Sequence, residues 1–568
     1  MDKTEESQQA IALVNFEELS RGIVARFLQT IVIVDDQAFL HEADVAHPHG
    51  GLVAPGMGAT QAVPTPVVDT NTVSDTAHEL DAKAIIDVFA EKGLICSVLR
   101  PKMNEQFETK TINAAERADI LILDWQLQGA TMPDVDAADL IEKIISRGNS
   151  QDRLRLIAVY SAEKPATIGR KLQATLTPLG NLSIEDNDHT FVLKRNRVCL
   201  FAKEGTIGAE TGRIIREEDL PDRLITEFSK MTTGLLSNAA LESMAALRKN
   251  MHRMLGKFHP SLDAPYLSHR ALLKPAEEAE SHVVPLIVAE IQSILEDQQV
   301  SDCVTSAYIQ SWVARYVNSI TEFEKRMNIP SLENAKKSLV DLLCKGIHEE
   351  DSSKLFPDWS KFIAPLKEEK NGINLSKLTD ILTSDGSSGG ILDREFACLM
   401  SVCTHYENPQ PMLTLGSIVA LDSDGKTDYF LCVQPSCDSV RLPDKGRRFP
   451  FLPMTKAANS SATDFGFIVP EKDGNLIDLR LSLRVYELEI FEFRRDSNTK
   501  CVLATNVDNE WIFTTVKIGD KDPKRLRWVA ELKQSHAQRV ANDYAREISR
   551  VGLTESEWLR RQAQNKKM

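Results

Sequence analysis

The chain has no long apolar run. Nowhere in its 568 residues does a stretch approach the roughly 18 to 20 continuous apolar residues of a membrane-crossing helix. Its start, Met1-Asp2-Lys3-Thr4-Glu5-Glu6, lacks the basic-then-apolar order of a secretory leader, so the mature chain is expected to begin near Met1. Positive charge is in deficit: 67 Lys and Arg stand against 82 Asp and Glu, a net charge of -15. That balance disfavours nonspecific binding to DNA, RNA or anionic lipid. The nine cysteines are scattered and odd in number, which leads us to expect reduced thiols in a cytoplasm. Missing as well are a GxxxxGKS/T loop, a GxSxG elbow, an HExxH pair and a GxGxxG turn. The familiar DNA-recognition modules are not legible either.

What is present is an ordinary globular composition, 42% hydrophobic and 26% charged, in a chain too long for one core; three or four domains are expected. Helical spacing over 8–29 predicts an N-terminal helix, and Ile31-Val32-Ile33-Val34 predicts a strand. Residues 43–75 follow, rich in Gly, Pro, Ala, Thr and His, and read as an irregular insertion. Helical patterns at 81–91, 104–116 and 134–147 then alternate with strands at 94–99, 120–124 and 156–161. That alternation is what a parallel sheet with crossover helices requires. The fifth strand has two candidates, Phe191-Val192-Leu193-Lys194 and Val198-Cys199-Leu200-Phe201-Ala202-Lys203. Arg195-Asn196-Arg197 is a short enough join to make them a hairpin. The second candidate is favoured as the central strand and the first as an added edge.

Two apolar runs end abruptly in acid. The first strand runs into Asp35-Asp36 and the third into Asp124, and open α/β sheets place ligands at the carboxyl ends of their strands. Asp35 and Asp36 suit a hard divalent cation, and magnesium takes oxygen ligands. Asp124 supplies both a ligand oxygen and a nucleophile able to form an acyl phosphate. Ser161, ending the fourth strand, is placed to bond a phosphoryl oxygen, and Lys203 to pair with the modified carboxylate. Read alone, the acids are solvent-facing strand ends, Ser161 a helix N-cap and the lysines surface residues.

Together these pieces resemble the receiver domain of two-component response regulators. The matching segments are Val34-Asp35-Asp36, Leu123-Asp124-Trp125, Tyr160-Ser161-Ala162 and Phe201-Ala202-Lys203, in order, at four strand ends. The resemblance covers roughly 28–230. It implies a doubly wound parallel five-stranded α/β sheet, with phosphate received on Asp124 from a histidine kinase in a phosphorelay. It also implies magnesium held by Asp35, Asp36, Asp124 and the backbone carbonyl of Gln126. Ser161 takes the switch-hydroxyl position and Lys203 or Lys194 the lysine position; with Lys194, Phe191 would fall at the switch aromatic. The chain departs from the family in its long first insertion, the lack of a proline after the lysine, and a stretched interval between strands four and five.

The expected organisation is an N-terminal helix (1–27), a receiver-like domain (28–216), a mainly helical domain (217–390), a mixed α/β or β-rich domain (391–522) and a C-terminal helical tail (523–568). In the tail, Pro523 to Arg550 is read as a charged helix with a gapped apolar stripe of Leu526, Val529, Val540, Tyr544 and Ile548. A zinc site from Cys398, Cys403, His405, Cys432 and Cys437 is set aside, because two of these thiols lie in helix-like and strand-like apolar runs. His47 and His49 read as loop histidines, and Lys445-Gly446-Arg447-Arg448 as a solvated basic turn. The resulting reading is a cytoplasmic phosphoprotein of two-component signalling whose output is unidentified. Its partner would be a histidine kinase or kinase-like ATPase, with a homo-oligomer left open and enzyme activity undecided. The alternatives are a pseudo-receiver scaffold without phosphotransfer and a stress or phage-defence effector acting through the C-terminal domain.

Overall fold

The computed structural model describes residues 15–39, 80–100, 107–127, 135–149, 153–346, 375–549 and 560, with short breaks at 275, 321–322, 324–330, 385, 424, 458–465, 472–473 and 517–521. The insertion at 43–75, His47 and His49 lie outside the described residues. The chain divides into two compact units, 1–321 with 332–351, and 322–331 with 352–568.

The first unit is built on a seven-stranded sheet. Helix α1 (Phe16–Phe27) leads into β1 (Thr30–Val34), then α2 (Ala82–Glu91), β2 (Ile95–Leu99), α3 (Phe107–Ala115) and β3 (Ile120–Leu123). A two-residue ladder of β4 (Gln126–Leu127) with β5 (Val135–Asp136) precedes α4 (Ala137–Asn149), β6 (Arg155–Ser161) and α5 (Pro165–Leu176). Then come β7 (Leu182–Glu185), β8 (Thr190–Leu193) and β9 (Asn196–Ala202). The order β2-β1-β3-β6-β9-β8-β7 contains five parallel strands, the 2-1-3-4-5 doubly wound arrangement, continued by two antiparallel ones. Every residue of β6 and β9 is buried, as expected of strands covered on both faces. Local chemistry sets the helix starts: the Asp81 side chain accepts from the amides of Lys83 and Ala84 to cap α2, and Pro165 opens α5.

Both candidates for the fifth strand form, and they pair as a hairpin. Phe191–Leu193 is not the edge, however, because β7, which the sequence reading lacks, lies outside it. Alternating exposure along Leu182–Glu185 is the period-2 signal of a half-covered margin strand.

Helices α6 (Leu220–Thr232), α7 (Leu235–Lys257), α8 (Asp263–Leu272), α9 (Glu280–Asp297), α10 (Ser306–Ser319) and α11 (Leu332–Lys345) complete this unit. The first two do not stand apart from the sheet. Leu220, Leu224, Phe228 and Leu241 share one core with Ile31, Ile33 and Phe201. Arg197 on β9, 4% exposed, also bonds Glu227 of α6 at 3.1 and 3.0 Å and Glu185 of β7 at 2.7 Å.

The second unit contains α12 (Leu375–Ile381), α13 (Gly389–Ser401), a nine-stranded sheet and α14 (Gln534–Ile548). The strands are β10 (Ser417–Ser423), β11 (Lys426–Cys432), β12 (Arg447–Lys456), β13 (Gly466–Pro470), β14 (Leu476–Leu481), β15 (Glu489–Phe493), β16 (Thr505–Val507), β17 (Glu510–Thr514) and β18 (Arg525–Glu531). Six of them curl into a ring, β12-β11-β10-β18-β17-β15. It closes because β15 pairs β12 and Phe493 bridges Thr515 just past β17. Phe430, Phe449, Phe451, Phe491, Phe493 and Phe513 fill one core, with edge-to-face ring pairs at 5.4 and 5.6 Å.

Arg525–Glu531 is a strand, against the expected helix over Pro523 to Arg550. Leu526 and Val529 fall in different cores, so the apparent helical stripe joins strand residues to helix residues. Lys524 lies just before β18, and Arg525 and Arg527 lie on it, where Arg527 bonds Asp422 at 3.4 Å. Val540 and Tyr544 do pack from α14, whereas Ile548 is exposed.

Candidate functional site

Strand order brings the acids together. β1 and β3 are neighbours in register, Val34 opposite Leu123, so Asp35 and Asp124 leave the sheet side by side. The chain switches direction about β1, whose two sheet neighbours are β2 and β3, and that crevice is where open α/β sheets bind ligands. Asp35 is 2% exposed and Asp124 is 7% exposed. A buried carboxylate pair is costly without compensation, and the compensation is Lys203, 4% exposed. Its Nζ donates to Asp35 Oδ2 at 2.8 Å and to Asp124 Oδ2 at 3.0 Å. One ammonium nitrogen thus holds the two carboxylates within two hydrogen-bond lengths of each other.

The remaining oxygens are tied to backbone. Asp35 Oδ1 accepts from the Gln37 amide at 2.8 Å, and Asp124 Oδ1 from the Gln126 amide at 3.3 Å. Burial and the neighbouring Asp124 charge push the Asp35 carboxyl up, against the pull of Lys203. Burial opposes the Lys203 ammonium, but the Asp124 and Asp35 carboxylates outweigh it and hold its pKa above the ordinary lysine value. The Lys203 amide bonds the Ser161 carbonyl at 2.9 Å, and Thr206 Oγ1 donates to the Lys203 carbonyl at 2.7 Å, fixing the backbone from which the side chain reaches inward.

Ser161 is buried at the end of β6, its Oγ accepting from the Glu163 amide at 3.3 Å. Asp36 is half-buried, its carbonyl accepting from Arg100 Nε at 3.0 Å. Gln126 is exposed on β4. Lys194 lies elsewhere: it is exposed, with φ 53°, in the turn between β8 and β9. That turn is at the amino end of β9, so Lys194 belongs to the margin opposite the acids. With it goes the switch-aromatic assignment of Phe191, which is buried in the sheet's core.

One acid near this pocket escaped the sequence reading. Glu217 is half-buried; burial and the charges of Asp81 and Asp35 push its carboxyl up, against Lys203. In sequence the run Glu217-Glu218-Asp219 looks only like a helix start. Tyr160 is also unforeseen: its hydroxyl donates to the Ile215 carbonyl at 2.9 Å and ties β6 to the segment carrying Glu217.

The donor set suits a hard cation. Two buried carboxylates, the half-buried Asp36 and the nearby Gln126 backbone offer oxygen only, and together they carry more negative charge than Lys203 neutralises. Among the described residues no three His, Cys, Asp or Glu side chains form a ready metal cage. Magnesium fits such a sparse set because it keeps several waters. Of the cysteine cluster, Cys432 is fully buried on β11, its thiol pushed up to about 12 by burial, a poor metal ligand. In the basic turn, Arg447 pairs with Asp438 at 3.7 Å and Arg448 with Glu492 at 3.3 Å.

A family model described as the response receiver domain matches residues 27–206; this third of the chain is a receiver domain, with a response-regulator-like signalling role. No curated protein and no solved structure matches the chain. Among the described residues no helix is long and apolar enough to cross a membrane.

Proposed function

We propose that the protein is a cytoplasmic response regulator that accepts a phosphoryl group on Asp124 from a histidine kinase or kinase-like ATPase. The supporting observation is the shared ammonium: Lys203 contacts Asp35 and Asp124 together, in a receiver domain. A carboxylate oxygen of Asp124 attacks the phosphorus of phosphohistidine. The P–O bond forms, the P–N bond breaks, and the imidazole leaves as a neutral base once protonated. Asp35, Asp36, Asp124 and the Gln126 carbonyl would hold magnesium, which supplies charge neutralisation for the incoming phosphoryl oxygens. Lys203 follows the charge on the modified Asp124, and the Ser161 hydroxyl, released from the Glu163 amide, bonds a phosphoryl oxygen. Lys203 directly follows β9, whose Arg197 reaches α6, so the helices beyond the sheet are the natural receivers of that change.

A second reading has its own support. The Lys203 bridge already satisfies both carboxylates, as a pseudo-receiver scaffold without phosphotransfer would need. One assay separates the two. Intact mass is measured after incubation with acetyl phosphate and magnesium, for wild type and Asp124→Ala. A gain of roughly 80 Da in wild type alone supports phosphoryl acceptance on this carboxylate. No gain in either supports the scaffold, and equal gains move the chemistry to another residue.

A further inference from the structure

Tyr160 stands immediately before Ser161 and is 3% exposed. On the paired strands β6 and β9 it lies opposite Phe201, as Ser161 lies opposite Ala202. Its hydroxyl donates to the Ile215 carbonyl at 2.9 Å. The centre of its ring is 5.9 Å from Lys203 Nζ, within reach of a cation–π contact. One side chain thus meets the ammonium of the acidic pocket at its face and a separate loop at its tip.

That loop is a strap between β9 and α6. It leaves the sheet at Lys203 and returns where Ile214 bridges Ala202, the Ile215 amide bonding the Ala202 carbonyl at 3.0 Å. A 3₁₀ turn at Glu217–Asp219 then runs directly into Leu220 of α6. Ile215 shares a core with Leu220, Leu224 and Phe228, so the strap and the first turns of α6 form one packed piece. Both anchors of the strap adjoin the pocket, since Ala202 precedes Lys203 and Tyr160 precedes Ser161. The backbone anchor belongs to the sheet, whereas the hydroxyl anchor hangs on a side chain that Lys203 touches. The strap also brings Glu217 into the field of Asp35 and Lys203.

We propose that Tyr160 is a positioning residue that carries the charge state of Asp124 to the start of α6; this rests on phosphoryl acceptance by Asp124. A phosphoryl group there adds negative charge. Lys203 follows that charge and leaves the Tyr160 ring, while Ser161 turns toward the phosphoryl oxygens and shifts the adjoining backbone. The same charge repels Glu217 on the strap. All three changes act against the bond from Tyr160 to Ile215, and none strengthens it. With the hydroxyl withdrawn, the strap loses its side-chain anchor on β6 and the first turn of α6 loosens.

The test is amide hydrogen exchange across residues 211–224 of the full chain, for wild type and Tyr160→Phe, with and without magnesium and beryllofluoride, which stands in for a phosphoryl group on a carboxylate. Phenylalanine keeps the ring and removes only the hydroxyl. Beryllofluoride is expected to raise exchange in wild type about 10-fold, the worth of one buried hydrogen bond. In the variant the raised rate is expected without beryllofluoride, changing less than about twofold when it is added. A variant that starts fast but still responds as wild type does has lost only a structural bond, which overturns the proposal. So does a variant indistinguishable from wild type, or a wild-type strap that does not respond although acetyl phosphate adds its mass. That last result leaves phosphoryl acceptance standing, whereas no mass gain in wild type ends both.

Discussion

Lys203 and Asp124 do not lie on neighbouring strands: β6 runs between theirs, yet Nζ and Oδ2 are 3.0 Å apart. The lysine crosses over the strand that ends in Ser161. Replacing it with Met would leave Asp35 and Asp124 buried and facing each other without a cation. We expect Lys203→Met to lower stability by about 3–5 kcal/mol, the usual cost of breaking a buried pair, read from urea unfolding. An unchanged midpoint would show that the bridge contributes nothing.

The raised Asp35 pKa gives a signed pH dependence. Between the ordinary value of 3.8 and its elevated one, the folded chain binds more protons than the unfolded chain. Stability from this group therefore falls as pH rises through that window. A divalent cation needs the deprotonated carboxylates, so stabilisation by added magnesium should grow as pH rises through the same window. The measurement is the shift in Tm on adding magnesium across a pH series. A shift that is flat or that shrinks with pH would contradict this assignment of the pocket.

Glu227 behaves oppositely. Burial raises its carboxyl pKa, but Lys230 and Arg197 overcome that and hold it below the ordinary 4.5. Its contribution is present above 4.5 and is lost as pH falls through the depressed value. Glu227→Gln should cost about 3–5 kcal/mol near neutrality by leaving Arg197 under-compensated, and should flatten the acid limb of the stability curve. Hydrogen exchange across residues 197–232 would locate the loss. A variant with the wild-type acid limb would exclude this role.

Gly446 has φ 86°, and a Cβ there would meet the Phe493 carbonyl oxygen at 2.7 Å. The residue stands where β12 begins beside β15, at the closure of the phenylalanine-filled ring. Gly446→Ala should destabilise that unit by about 1–3 kcal/mol and leave any phosphoryl acceptance on Asp124 unaltered. Thermal unfolding together with the mass assay tests both halves of the statement.

The parallel half of the sheet is legible in the sequence because its central strands are continuous apolar runs, two of them ending in acid, and helical spacing separates them. β9 was legible for the same reason. β7 was not, because its alternating half-exposed pattern sits in a polar stretch, Asn181 to Thr190, that reads as loop. The acid pair could be anticipated from strand ends alone. The choice of Lys203 over Lys194 needed the pairing direction, since a hairpin sends its two strands' ends to opposite margins. The β18 segment reads as helix because Leu526 and Val529 are three apart, a helical interval, whereas tertiary pairing with β10 and β17 decides the conformation. Closure of the ring rests on contacts between residues far apart in sequence, such as Phe493 with Thr515, which no local pattern encodes.

Two antiparallel strands stand between β9 and open solvent on that flank of the sheet. At about 4.8 Å per ladder, they move the outer rim about 10 Å away from the strand that Lys203 directly follows. A protein gripping that rim would touch Leu182–Glu185, where Glu185 already reaches β9 through its 2.7 Å bond to Arg197. The same guanidinium holds Glu227 of α6, so the rim strand, β9 and that helix meet at one side chain.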